Sequence, residues 1–129
     1  MSLFGNLLWL IFGGLLAGLS YMLAGFILCL TIIGIPFGIN AMRLGWLVLT
    51  PFGRGLDCRQ GATGCVDGAF NLLWLLTVGW SIALTHLLFG IILLPTLVGI
   101  PIAWRHFQLL PIALFPFSYH FTPDRKISV

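Results

Sequence analysis

Hydrophobic residues fill two long stretches of this chain that contain no charged residue, 1–42 and 68–104. Each stretch is well over the roughly 20 apolar residues that an α-helix needs to cross a lipid bilayer. The same short sequence, Gly-Ile-Pro, interrupts both stretches, at 34–36 and at 99–101. Because proline ends or kinks a helix, the pattern predicts a long helix, a break and a shorter helix in each stretch.

The two stretches are copies of one unit, because a shift of about 65 residues superimposes them without a gap. The sequence Asn-Leu-Leu-Trp-Leu at 6–10 recurs at 71–75, and the two Gly-Ile-Pro sequences coincide. Roughly 19 of 48 aligned positions are identical, which is more than shared hydrophobicity explains. We therefore divide the chain into a first repeat (1–53), a polar loop (54–69), a second repeat (70–119) and a polar tail (120–129).

The lengths of the segments allow two topologies. The long segment has about 28 residues and measures roughly 42 Å as a helix, so in a core of about 30 Å it must tilt, bend or protrude. The shorter segment, of about 16 residues, is marginal for a crossing. If both segments cross, there are four passes and parallel repeats; if only the long segments cross, there are two passes and inverted repeats. The positive-inside rule favours four passes with both termini in the cytoplasm, because the basic residues of loop and tail then share one side.

The composition indicates an integral membrane protein and argues against other classes. The chain is 60% hydrophobic and 7% charged, with a mean hydropathy of +1.11, whereas a soluble domain needs more charge to face water. The first stretch lacks a positive start and is too long for a signal peptide, so we expect it to be retained. The formal charge of +3 is too small and scattered for nucleic-acid binding. The three cysteines, Cys29, Cys58 and Cys65, form no metal motif, and free thiols are favoured over a loop disulfide.

The sequence TIIGIPFGINAMRLGWLVLTPFG at 31–53 resembles the repeated unit of the YccF family of small bacterial inner-membrane proteins. That unit is often called the inner membrane component domain, and the resemblance covers both halves of the chain. The second copy departs from the motif, because Ala103 and Ser118 stand where the first copy has glycine. The resemblance implies an all-helical bacterial inner-membrane protein with two copies of the domain, and it implies no particular activity.

The breaks themselves admit two interpretations. They are either turns between two helices at the membrane surface, or discontinuous helices whose free backbone groups bind an ion or solute. Because the long segment already spans the bilayer before the break, the turn is favoured. The helix-break residues are Gly34, Pro36, Gly99 and Pro101.

Polar residues in the membrane segments are the candidates for function. An arginine there is costly and points to a partner or an aqueous cavity, although near a helix end it can snorkel to the headgroups. No carboxylate lies in these segments, so a buried arginine needs an anion, a lipid phosphate or backbone carbonyls. A membrane histidine is more often a hydrogen-bonding residue between helices than part of a proton relay. The pore or solute-path candidates are Asn40, Arg43, Arg105, His106 and His86.

Two further patterns concern packing. Asn6 and Trp9, repeated as Asn71 and Trp74, stand at the helix starts, where we expect them to anchor the chain in the membrane interface. Small residues let helices approach closely, and the first repeat offers Gly13, Gly14, Gly18 and Gly25.

The hydrophobic segments hold no paired carboxylates, no metal-ligand cluster and no nucleophile with a base, so we expect no enzyme, no metal and no cofactor. Four helices enclose little volume, and a conduit would need several subunits. We expect an oligomeric channel or transporter-like protein for an ion or small polar solute, with anions or polar solutes favoured. The alternative is a non-conducting scaffold or accessory subunit that binds other membrane proteins or lipids. The expected partners are the lipid bilayer, further copies of the chain and an anion or small polar solute, in the bacterial inner membrane.

Overall fold

The computed structural model describes residues 2–52, 55–58 and 64–122. The basic residues on which the expected topology depended, Arg54, Arg59, Arg125 and Lys126, lie outside these ranges. Each repeat forms a long helix, a break and a shorter helix, so the predicted two-repeat helical fold is confirmed. The main elements are α1 Ser2–Trp9, α2 Leu15–Cys29, α3 Ile35–Leu49, β1 Gly55–Cys58, α4 Cys65–Trp74, α5 Trp80–Leu93, α6 Gly99–Leu114 and β2 Tyr119–Thr122.

A π-helical turn divides the long helix of each repeat, at Leu10–Gly14 and at Leu75–Gly79. In the first repeat the helix is also bent, because Phe12 (φ −94°, ψ 44°) and Gly13 (φ 102°) leave the helical region. Glycine adopts a positive φ without strain, and a Cβ at Gly13 would lie only 2.5 Å from the ring of Phe89. Bending is one of the three outcomes expected of a segment longer than the bilayer core.

The Gly-Ile-Pro break is a turn that ends one helix and begins the next. Pro36 lies in the first turn of α3, where its missing N–H leaves no helical hydrogen bond unmade. Thr31 holds the turn, because its Oγ1 donates to the Leu28 carbonyl (2.9 Å) and accepts from the Gly34 N–H (3.1 Å). Thr96 makes the same two bonds in the second repeat. Both breaks therefore have the geometry of the turn interpretation.

Helices α2 and α3 pack as a close antiparallel hairpin in which glycine faces glycine. A Cβ on Gly25 would lie 2.7 Å from the carbonyl oxygen of Gly38, and one on Gly45 would lie 2.9 Å from that of Gly18. Such distances leave no room for a side chain at these positions. The close approach expected at Gly18 and Gly25 is confirmed.

An asparagine and a tryptophan of the first helix hold the end of the short helix in each repeat. The Phe52 N–H and the Val48 carbonyl are four residues apart and would bond each other if α3 continued. Instead, the Phe52 N–H donates to Asn6 Oδ1 (3.0 Å). The Val48 carbonyl accepts from Trp9 Nε1 (2.6 Å). The second repeat repeats the arrangement, with the Phe117 N–H on Asn71 Oδ1 (3.0 Å) and Trp74 Nε1 on the Ala113 carbonyl (3.0 Å).

The expectation that these tryptophans anchor the helix starts in the membrane interface is wrong. Trp9 is 0% exposed and Trp74 is 2% exposed, whereas a ring in an aromatic belt faces the headgroups. The physical reason is that the last backbone groups of a helix need partners, above all in apolar surroundings. The Asn-x-x-Trp sequence supplies an acceptor and a donor for them. Gly14 makes room for the Trp9 ring, because a Cβ there would overlap Nε1.

The two repeats contact each other through opposite ends. Asn40, near the start of α3, donates through Nδ2 to the carbonyl of Pro116, at the end of the second repeat (3.3 Å). Arg105 occupies the corresponding position in α6, and its guanidinium lies 5.2 Å from the ring centre of Phe52, at the end of the first repeat. The turn end of each repeat thus lies beside the terminal end of the other. The two repeats are therefore inverted relative to each other.

Strands β1 and β2 form an antiparallel ribbon that the sequence did not predict. Gly55 pairs with Thr122, and Cys58 pairs with Tyr119. Because Gly55 follows closely on Phe52, whose backbone α1 holds, the end of β2 returns to the end of the bundle that carries α1. β2 also contacts α3, so the ribbon extends along the flank of the helices.

Two described helices are long and apolar enough to span a membrane, judged by length and composition alone: Leu3–Cys29 and Cys65–Leu93. Ile35–Leu49 is apolar but shorter. The number of times that the chain crosses the membrane stays a prediction.

Candidate functional site

The structure places the five polar candidates in three locations. His86 of α5 and His106 of α6 lie together in the interior. Asn40 and Arg43 line one groove on the surface of α3. Arg105 lies apart from both, at the contact between α6 and the end of the first repeat. The five side chains therefore form two pairs and one inter-repeat contact.

The two histidines form a completely buried pair. Their Nδ1 atoms are 2.9 Å apart, and both side chains are 0% exposed. The other ring nitrogen of His106, Nε2, lies 2.9 Å from the carbonyl oxygen of Phe12, where the long helix of the first repeat is bent. The pair thus links α5 and α6 of the second repeat to the bend in the first.

The proton positions in this pair follow from its partners. A carbonyl oxygen can only accept, so His106 Nε2 carries a proton and donates it to Phe12. A neutral His106 then has an unprotonated Nδ1, and the bond between the two Nδ1 atoms is donated by His86. This leaves His86 Nε2 as a buried acceptor without a hydrogen-bond partner among the described residues. The chain of hydrogen bonds ends on a backbone carbonyl, which cannot pass a proton on, so the geometry favours a link between helices over a proton relay.

Aromatic rings surround the pair. Trp9 stacks on His106 with ring centres 4.2 Å apart, and Phe89 stacks on its ring at 5.7 Å. Tyr21, which corresponds to His86 in the first repeat, stacks on Trp74 at 5.4 Å. Among the described residues no three His, Cys, Asp or Glu side chains come together as a metal site would require.

Arg105 joins the two repeats. Its side chain is half-buried, donates from Nη1 to Gln108 Oε1 (3.1 Å) and lies over the Phe52 ring. A guanidinium over an aromatic ring gains electrostatic attraction without needing a carboxylate. This arginine therefore has partners within its own chain.

The groove at α3 combines charges of both signs. It has a volume of about 200 Å³ and is lined by Pro36, Phe37, Ile39, Asn40, Arg43, Asp67 and Phe117. Asp67 comes from the first turn of α4, outside the hydrophobic segments, and the inverted arrangement of the repeats brings it to α3. Asp67 therefore lines the same groove as Arg43, although it lies outside the hydrophobic segments and forms no ion pair with Arg43.

Sequence reasoning named both histidines but did not foresee that they pair. They are twenty residues apart on two helices, and only the hairpin of α5 and α6 brings them together. The bend at Gly13, which supplies the Phe12 carbonyl, carried a weak signal in the pair Gly13 and Gly14. Asp67 carried no sequence signal for this groove, because its neighbours in sequence are polar and glycine-rich.

Comparison with known proteins identifies the domain. A family model for the YccF inner membrane component domain matches twice, at residues 4–54 and 69–119, the two sequence repeats. The chain is 27% identical over 122 residues to "Inner membrane protein YccF" of Escherichia coli (strain K12), covering 86% of this chain and 80% of that protein. It matches the protein of the same name from Shigella flexneri with the same identity and coverage. No solved structure matches the chain. The chain is a member of the YccF inner membrane component family.

Proposed function

We propose that this protein is a non-conducting component of the bacterial inner membrane that organises lipids or other membrane proteins around it. The observation that carries the proposal is the filled centre of the bundle. Five side chains with exposed fractions of 2% or less occupy it, namely Trp9, Tyr21, Trp74, His86 and His106. A solute passing through one protomer would have to cross this layer of stacked rings.

The outer surface supports the same proposal. Large apolar side chains on α2 and α5 are exposed, for example Leu23 (63%), Phe26 (58%) and Ile92 (64%). Apolar surface of this kind is covered by lipid chains or by partner proteins in the membrane. The polar candidate Arg43 is also exposed, so it faces the surroundings of the protein and not its interior.

The test is a flux assay in liposomes that contain the purified protein. Proton and chloride flux are recorded with dyes inside the liposomes, and an added ionophore gives the full response. We expect rates equal to those of protein-free liposomes. A rate at least tenfold above that background, lost in a His106→Phe or Arg43→Ala variant, would overturn the proposal and support conduction.

The second candidate function is an oligomeric conduit, and the ribbon of β1 and β2 favours it. Backbone and polar groups of a ribbon on the flank of a membrane bundle need water, headgroups or protein around them. In an oligomer this flank could face a shared, water-filled axis. A monomeric mass of the protein in lipid nanodiscs would exclude the conduit, because a monomer leaves no shared axis.

We propose that both termini face the cytoplasm. Support comes from the ribbon, which returns β2 toward the end of the bundle that holds α1. Cys65 is an exposed free thiol at the start of α4. In a Cys58→Ser background, a membrane-impermeant maleimide reports which face Cys65 occupies, and reporter tags at the two ends should be protease-sensitive only in inside-out vesicles.

A further inference from the structure

Arg43 lies between two recesses of different character. One is the groove of about 200 Å³ that also contains Asn40 and Asp67. The other, of about 300 Å³, is lined by Ile39, Met42, Arg43 and Trp46 and is otherwise apolar. Arg43 is exposed and makes no hydrogen bond or ion pair with another described residue. One cation therefore stands where a polar recess meets an apolar one.

The polar recess presents one cationic donor and two kinds of acceptor. The Arg43 guanidinium has five N–H donors in a planar fork that matches a phosphate. Asn40 uses its amide nitrogen to bond the Pro116 carbonyl, so its Oδ1 remains an acceptor that no described residue occupies. Asp67 adds a carboxylate, whose two oxygens can accept several hydrogen bonds. The recess thus offers a site for an anion beside a site for a cation that can donate hydrogen bonds.

We propose that this groove binds a zwitterionic glycerophospholipid whose headgroup ends in a primary amine. The phosphate diester pairs with Arg43, and the ammonium donates to Asp67 and to Asn40 Oδ1. The acyl chain follows the apolar recess along Ile39, Met42 and Trp46. An anionic headgroup that ends in an uncharged glycerol fits less well, because that end gains no charge attraction from the Asp67 carboxylate, and a quaternary ammonium has no N–H to donate.

The size of the recess agrees with such a headgroup. A volume of about 200 Å³ corresponds to about seven water molecules at roughly 30 Å³ each, enough for a phosphate and a two-carbon amine. Its position agrees as well, because Pro36 and Asp67 belong to the first turns of α3 and α4. The headgroup would therefore lie beside the starts of α3 and α4, near the turn that joins α2 to α3.

The chain contains a matched control in its second repeat. Arg105 is also an arginine near the start of a short helix, but its guanidinium bonds Gln108 and lies over Phe52. Substitution of Arg105 removes the same charge from the chain and leaves the groove at α3 unchanged. Arg43→Gln and Arg105→Gln thus separate a headgroup site from the general effect of lost positive charge.

The experiment is native mass spectrometry of the purified protein in detergent, with phosphatidylethanolamine, phosphatidylcholine and phosphatidylglycerol of equal chain length as probes. We expect the wild type to retain phosphatidylethanolamine most strongly. Arg43→Gln should reduce its apparent affinity about tenfold or more, as for the loss of a charge-assisted pair, while Arg105→Gln changes it less than twofold. Asp67→Asn should abolish the preference over phosphatidylcholine and keep retention through the phosphate. Circular dichroism verifies the helical content of each variant.

Equal retention of the three lipids by the wild type would overturn the inference, as would equal effects of Arg43→Gln and Arg105→Gln. Loss of phosphatidylethanolamine retention in the presence of soluble phosphoethanolamine or inorganic phosphate, at the same concentration as the lipid, would also overturn the inference. The acyl recess would then play no part in binding. The inference gives a ligand class to the proposed lipid-organising role. The proposed function and the lipid inference can be refuted independently, because the flux assay tests conduction and the lipid preference tests only this groove.

Discussion

Replacing Trp9 by phenylalanine removes the indole N–H that bonds the last turn of α3 and keeps an aromatic ring in the same place. The Val48 carbonyl, 2.6 Å from Nε1, loses its donor, and its helical partner, the Phe52 N–H, is already bonded to Asn6. A buried acceptor left without a partner costs about 1–3 kcal/mol. The smaller ring also loses part of its stacking on His106, where ring pairs contribute about 0.5–1.5 kcal/mol.

The expected total is a decrease of about 1–2 kcal/mol in the free energy of unfolding, because membrane hydrogen bonds measure at the low end of such ranges. Reversible unfolding by sodium dodecyl sulfate in mixed micelles, followed by circular dichroism, measures it. Trp46→Phe is the matched control, since that ring is 57% exposed and should change stability by less than about 0.5 kcal/mol. Equal stability of the two variants would refute the role assigned to the Asn-x-x-Trp sequence.

Three more variants test other contacts in the same unfolding assay. Gly25→Ala should destabilise the protein by about 1–3 kcal/mol, because its Cβ meets the backbone of the opposite helix. Gly68→Ala, in open space on α4, should stabilise it by about 0.5–1 kcal/mol. A more stable Gly25→Ala variant than Gly68→Ala variant would contradict the described packing. Asn71→Leu should cost about 1–2 kcal/mol by freeing the Phe117 N–H, and no loss would show that another group takes over this bond. His106→Phe should cost about 2–4 kcal/mol, since it leaves two buried partners unpaired, and His86→Phe should cost about half as much, since it leaves one; equal costs would contradict the hydrogen bond between His106 and the Phe12 carbonyl.

The repeated sequence Asn-Leu-Leu-Trp-Leu shows which structural features could be predicted from the sequence and which could not. The repeat and the helix that carries it were evident, because identity at a fixed spacing and uninterrupted hydrophobicity are local signals. The role of the tryptophan was not, because its partner is the backbone of a residue 39 positions later. A backbone carbonyl has no sequence signature, so the bond could only be found from the packing of the hairpin.

The relative orientation of the repeats was beyond the sequence for a different reason. Charge bias was the available criterion, and it rests on a few basic residues in the loop and tail. The orientation is instead set by contacts such as Asn40 with Pro116, which join positions 76 residues apart. The same arrangement brings Asp67 to Arg43, and so it changes the chemistry of the candidate groove.

Fusion of the two repeats in one chain allows the molecule to depart from two-fold symmetry. A dimer of identical units related by a two-fold axis would carry every buried polar group twice, once in each half of the interface. Here the histidine pair exists once, because Tyr21 and Ala41 occupy the positions that correspond to His86 and His106. Duplication followed by divergence can thus concentrate a costly polar link on one side of the axis, and leave the other side to aromatic packing.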